Sequence, residues 1–228
     1  MNAFPEQTRI ERERTDTFER FSVSRETGER LNLYVKLLLE RQQAMNLVSH
    51  STQSSVWSRH VADSLQLLQL LPLGAPRLRW VDLGSGAGFP GLVIACALAD
   101  TPGAHVHLIE STKRKAAFLT EVTAALRLPV TVYPDRIEDV LPALANSVDV
   151  VTARALAPLE KLLGYAAPAL ERGVKGLFMK GQNVEAELTR AKQSWHISYD
   201  LAASQTDRSG RIVIISRAKR IVFQPRTR

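Results

Sequence analysis

The chain has 228 residues, 45% of them apolar, with 30 Lys and Arg against 23 Asp and Glu and one cysteine, Cys96. That length supports one principal domain with a sizeable core, and a lone cysteine excludes an intrachain disulfide and a cysteine-built metal site. No run approaches the roughly 18 apolar residues of a membrane span, and the charged opening has no signal-peptide core, so a soluble, unexported protein of the cytoplasm is expected.

Residues 1–23 are crowded with charge and are expected to form a mobile N-terminal segment. From 24 to 44, Leu31, Tyr34, Val35 and Leu38, with Met45 just beyond, recur near the helical period; Ser24 is placed to cap the first turn and Glu26 lies within it. Val61, Leu65 and Leu68 form a second apolar stripe over 55–71. Leu73, Gly74, Ala75 and Pro76 then break the pattern, so 24–76 reads as a helical extension and 77–216 as the main domain.

Within the main domain, short apolar runs at 78–83, 105–110, 129–133, 148–153 and 174–180 alternate with helical stretches at 90–99, 112–127, 137–145, 157–171 and 183–193. Such alternation calls for an α/β fold, a mostly parallel sheet covered on both faces. Strands at 195–201 and 211–216 are separated only by a loop, which implies an antiparallel pair at the sheet's end. Residues 217–228 read as a basic tail, and the segment after residue 189 holds nine bases against two acids, hence all of the net charge of +7. This asymmetry suits a polyanion-binding surface or a merely solvated terminus.

The stretch VDLGSGAGFPG, residues 81–91, falls between the first strand and a helix beginning near Pro90. In open α/β sheets this is the crevice where ligands bind. Glu110 closes the next strand, within reach of ribose hydroxyls at such a site. An adenosine-bearing ligand fits both features, with Gly84, Gly86 and Glu110 around it. The pattern is G-x-G-x-G rather than the dinucleotide G-x-G-x-x-G, and Asp82 lies just upstream. A carboxylate there opposes a pyrophosphate but suits the cationic end of S-adenosylmethionine. No tyrosine is followed four residues later by a lysine, so the pair used by many short-chain dehydrogenases is missing.

GSGAGFPG (84–91), ESTKRKAAFL (110–119), DRIED (135–139), VVTARALAPL (150–159) and FMKGQNVEAEL (178–188), with the earlier NLVS (46–49) and RHVADSL (59–65), closely resemble the RsmG (GidB) family. These are bacterial enzymes that methylate guanine N7 in 16S rRNA of the small ribosomal subunit. The resemblance runs over about 30–216 and implies a class I, Rossmann-like methyltransferase with a seven-stranded sheet whose last strand is antiparallel. It places donor contacts on Gly84, Phe89, the backbone of Ile137 and Glu138, and Arg154. Glu110 stands where many members have Asp.

The residues themselves support these roles unevenly. Asp135 is placed to cap a helix that begins with Ile137 and Glu138 beyond the third strand. Arg154, just past the fourth strand, faces the same crevice, and Lys180 at the end of the fifth reaches either RNA or solvent. Cys96, among Ala and Leu, reads as a buried small hydrophobe rather than a nucleophile. Guanine N7 carries a lone pair and no proton, so positioning can supply the catalysis and no catalytic acid or base is assigned. Arg59, His60 and Asp63 are expected to be structural or RNA-contacting rather than metal-binding, and Lys113, Arg114 and Lys115 to lie on an RNA-facing or solvated edge. A methyltransferase for another RNA or a small molecule, and an RNA-binding nucleotide sensor, remain open. A monomer is expected.

Overall fold

A computed structural model describes residues 4–71 and 79–221. The breaker cluster Leu73–Pro76 and the last seven residues lie outside them. Within the N-terminal stretch expected to be mobile, the chain forms a helix, α1 (Phe4–Arg20). Its few apolar side chains suffice to anchor it: Phe18 packs edge-on against Trp57 with ring centroids 5.4 Å apart, and Ile10 also reaches the core. Helix α2 (Arg25–Met45) begins as the sequence implies, with the Ser24 hydroxyl accepting from the Thr27 amide, and buries Leu31, Tyr34, Val35 and Leu38. Asn46 ends it in the left-handed region (φ 48°), where Asn is tolerated.

After the short α3 (His50–Gln53), the expected single helix over 55–71 is three pieces: a π turn at Trp57–Val61, α4 (Ala62–Leu65) and a 3-10 turn at Gln66–Leu70. The stripe Val61, Leu65 and Leu68 still faces the core.

Seven strands come next: β1 (Arg79–Leu83), β2 (His105–Ile109), β3 (Val130–Tyr133), β4 (Val150–Arg154), β5 (Lys175–Lys180), β6 (Trp195–Ala203) and β7 (Arg211–Arg220). They form one sheet in the order β3-β2-β1-β4-β5-β7-β6, parallel from β3 to β5, with β7 antiparallel to both its neighbours. The basic tail therefore starts later than expected: Arg217, Lys219 and Arg220 belong to β7 and pair with Ser198, His196 and Trp195 of β6.

The strands' alternate residues feed two cores. Trp80, Val106, Leu108 and Val150 meet α2, the 57–70 segment, α5 (Gly91–Leu98) and α6 (Lys113–Leu126) on one face. Val81, Ile109, Val151 and Phe178 meet α7 (Ile137–Leu144), α8 (Leu159–Leu170) and α9 (Val184–Ser194) on the other. Burying both faces is what lets the parallel strands be apolar almost throughout. Cys96 is fully buried on α5, and burial pushes its thiol up to about 12, well outside the range of a nucleophile. Among the described residues no helix is long and apolar enough to cross a membrane.

Candidate active site

The glycine loop leaves β1 through three positive φ angles, +65° at Gly84, +58° at Gly86 and +104° at Gly88. Glycine adopts these without the Cβ penalty of other residues. The Gly84 and Ser85 amides donate to the Ile109 carbonyl at 2.9 and 3.1 Å, and the buried Tyr34 hydroxyl donates to the Ala87 carbonyl at 2.7 Å. The end of β2 and helix α2 thus hold the loop from opposite sides. Glu110, 7% exposed, accepts from the Gly86 amide at 2.9 Å and the Thr112 amide at 2.7 Å.

A cavity of about 390 Å³ opens above this loop. Gly84, Gly86, Phe89 and Glu110 line one part of it, and Ile137, Glu138 and Arg154 another. The structure thus brings every ligand residue expected from the sequence to the lining of one cavity. Helix α7 starts at Ile137, so the amides of Ile137 and Glu138 precede its own hydrogen-bond ladder. Arg136, not Asp135, occupies the capping position, and it makes no side-chain cap bond.

Asp82 does not face the ligand space. It is 1% exposed beneath the loop, accepting from the Gly91 amide at 3.2 Å and the Thr152 hydroxyl at 2.8 Å. Burial raises its carboxyl to about 6 against the pull of those bonds. The short reach of Asp from a strand, with Gly91 directly opposite, makes it a clamp between β1, β4 and the start of α5. Lys180 does not point to RNA or solvent as expected: its ammonium donates to the Ala157 carbonyl at 2.8 Å and pairs with Glu187 at 2.6 Å, so it is committed within the protein. Arg114 donates to the Ala44 carbonyl at 2.7 Å, tying α6 to α2.

The residue that sequence reasoning undervalued is His60. The π turn sets its ring on Phe89, with centroids 4.9 Å apart and 23° between planes. Arg154 Nη2 donates to His60 Nδ1 at 2.7 Å; Nδ1 is therefore bare, and Nε2 carries the proton it donates to Thr52 Oγ1 at 3.0 Å. Burial, aided by the nearby Arg154 and Arg59, lowers His60 to about 3. Its folded value lies below the unfolded one near 6.5, so stability is complete above that pH and drains away as pH falls towards 3. His60→Gln is expected to remove roughly 2 kcal/mol of the stability lost between pH 7 and 4.5, read from urea unfolding at the two pH values.

Arg154 anchors the cavity's far side. Nη2 also donates to the Arg59 carbonyl at 2.9 Å, Nε faces Asp63 at 3.4 Å, and the guanidinium sits 6.0 Å from the Phe89 ring centroid. Burial lowers its pKa from the ordinary Arg value. Of the guanidinium nitrogens, Nη1 is buried without a hydrogen-bond partner among the described residues. Among the described residues no three His, Cys, Asp or Glu side chains gather to hold a metal ion.

A family model described as GidB, rRNA small subunit methyltransferase G, matches residues 27–211. A ribosomal RNA small subunit methyltransferase G of Bradyrhizobium is 53% identical over 193 residues, covering 85% of this chain and 86% of that one. Its counterpart from Methylorubrum extorquens is 46% identical and covers 91% of this chain and 97% of that one. An S-adenosylmethionine-dependent methyltransferase from Aquifex aeolicus shares the fold, with a TM-score of 0.55 at 15% identity over 71% of this chain and 92% of that one. The glycine loop, the cavity and the match over most of the sequence agree, and the chain belongs to the rRNA small subunit methyltransferase G family.

Proposed function

We propose that the chain transfers a methyl group from S-adenosylmethionine to N7 of guanine 527 in 16S rRNA, acting as a cytoplasmic monomer on the small ribosomal subunit. The observation that carries the donor assignment is Arg154 Nη1, a buried N–H donor without a partner at the wall of a cavity built on a glycine loop. It suits the carboxylate of the donor's methionyl end. Glu110 retains acceptor capacity for ribose hydroxyls, because each carboxylate oxygen has a second lone pair beyond its amide bond. Ile137, Glu138 and the start of α7 would frame the adenine.

When bound, the donor supplies an electrophilic methyl on a sulfonium. The protein's own task is to hold that methyl in line with an incoming lone pair and to keep water out. No side chain is required to take a proton from N7. His60, the nearest imidazole on the wall, has both nitrogens engaged and is neutral above about 3, so it acts as a packing surface for Phe89 and a support for Arg154. Single-turnover rates on saturating small subunits are expected to be nearly flat from pH 6.5 to 9, and a steep rise that His60→Gln eliminates would overturn the N7 reading.

Incubation with labelled donor and small subunits tests the whole assignment. Label mapped to N7 of the proposed guanine supports it; label elsewhere in the RNA or in a small molecule, or none from a donor-binding protein, overturns it. The basic strand end makes a separate prediction. If Arg217, Lys219 and Arg220 meet phosphates, replacing all three with Gln flattens the plot of log affinity against log salt by about 0.7 to 0.9 for each phosphate released, with donor affinity unchanged. An unchanged slope in filter-binding titrations would assign them to solvation.

A further inference from the structure

A second cavity, of about 210 Å³, is bounded by Arg59, Asp63 and Arg154, the end of β5 and the β6–β7 turn. Arg154 and Ala155 line both cavities, so the two adjoin there. We propose that this second cavity receives the target guanine, and that Asp207 with Arg59 beside it reads the base's Watson–Crick edge. The proposal rests on the methyl-transfer function and adds a substrate-contacting residue to it.

The chemistry of the wall selects guanine. Asp207 Oδ1 accepts from the Ser209 amide at 2.9 Å and the Ser209 hydroxyl at 2.8 Å, while Oδ2 accepts from Arg59 Nη1 at 3.1 Å. The Ser209 bonds, and then Arg59, hold the Asp207 carboxyl below its usual range, so it is an ionised acceptor of fixed orientation. Side-chain exposures of 46% for Arg59 and 34% for Asp207 leave the pair open to a ligand. Guanine presents two adjacent donors, N1–H and the N2 amine, next to the acceptor O6. A carboxylate beside a guanidinium is the complement of that edge. Adenine offers a bare N1 at the same place, and the carboxylate would meet its lone pair.

Asp63, the cavity's other carboxylate, is already committed. It takes the Thr206 hydroxyl at 2.7 Å and the Gln66 amide at 2.6 Å, and it faces Arg154. Asp207 carries as many bonds, but its side chain is 34% exposed against 16% for Asp63, so it is the carboxylate more open to a base. With the N1–N2 edge on Asp207, the imidazole ring that carries N7 lies on the opposite side of the purine. The Arg59 carbonyl, which accepts from Arg154, joins the base-reading pair to the donor wall.

Small subunits reconstituted on 16S rRNA carrying guanosine, inosine or 7-deazaguanosine at the target position test this in single turnovers with the full chain and with Asp207→Asn. Inosine lacks only the N2 amine. The unmodified protein is expected to prefer guanosine to inosine by on the order of 10- to 100-fold, the range for a hydrogen bond to a charged group. In Asp207→Asn, whose amide oxygen can still accept from Ser209, the ratio is expected to shrink below about 3-fold with donor affinity unchanged. A merely structural role would slow both substrates alike. No preference in the unmodified protein, or an equal preference in the variant, overturns the proposal. The 7-deaza arm reports on the reaction itself: transfer to that base overturns the N7 reading and leaves the guanosine-to-inosine ratio to judge Asp207 independently.

Discussion

Gly86→Val is expected to lower donor affinity by more than about 100-fold, a loss of over ~2.7 kcal/mol in binding, while leaving a folded protein. At this position a Cβ would find only the Gly84 carbonyl, at 3.8 Å, so the new side chain projects into the ligand space and not into the protein. The left-handed φ of +58° adds a strain of about 1–2 kcal/mol for a non-glycine residue. Gly84 would make a poorer test, because its Cβ would strike Leu156 at 2.6 Å and confuse packing with binding. Calorimetric titration with the donor checks the expectation; undiminished affinity in a folded variant would remove the loop from the donor site.

Arg154→Met carries the second large effect, and it acts on two properties at once. The guanidinium ties Asp63, the Arg59 carbonyl and His60 Nδ1 together at the end of β4. Its loss leaves Asp63 with its Thr206 and Gln66 bonds but no facing cation, and leaves the buried Nδ1 unpaired. Roughly 2 kcal/mol of stability is expected to go, short of the full cost of an isolated buried charge because those two bonds persist. Donor affinity is expected to fall at least about tenfold, since the free Nη1 disappears with the group. Equilibrium urea unfolding and calorimetry on the same preparation separate the two. Arg154→Lys is expected to restore part of the stability but little of the affinity, because an ammonium offers a point charge without the planar fork.

The parts of the molecule that could be read from the sequence are those where one local rule decides. Alternation of short apolar runs with helical stretches gives β1 to β5, and Gly84, Gly86 and Gly88 mark backbone turns that only glycine makes readily. Where a side chain points depends on residues far away in the chain. Asp82 carries the right charge for a cationic donor, but Gly91 and Thr152 draw it under the loop. Lys180 looks free at a strand end until Glu187 of α9 folds over it. Helix α1 is thinly apolar by composition and is fixed by the non-local packing of Phe18 on Trp57. His60 gave a visible signal, since it stands one position before the core-facing Val61; what could not be read was the π turn that lays its ring on Phe89.

That π turn also sets how the gene can change. Its 57–61 backbone amounts to one residue more than a regular α-helix would hold in the same length. Within the turn His60 meets Phe89 and Arg154, and downstream of it Asp63 meets Thr206 and Gln66 meets Gln205, all in phase with the extra residue. An in-frame deletion of one codon here would relax the turn and rotate the downstream helix by about 100°, the angular step of a helical residue. Asp63 and Gln66 would swing away from the β6–β7 turn together. Substitutions along this segment act on one side chain at a time, whereas a change of length is all-or-none, so related chains are expected to keep the number of residues between Trp57 and Gln66 constant.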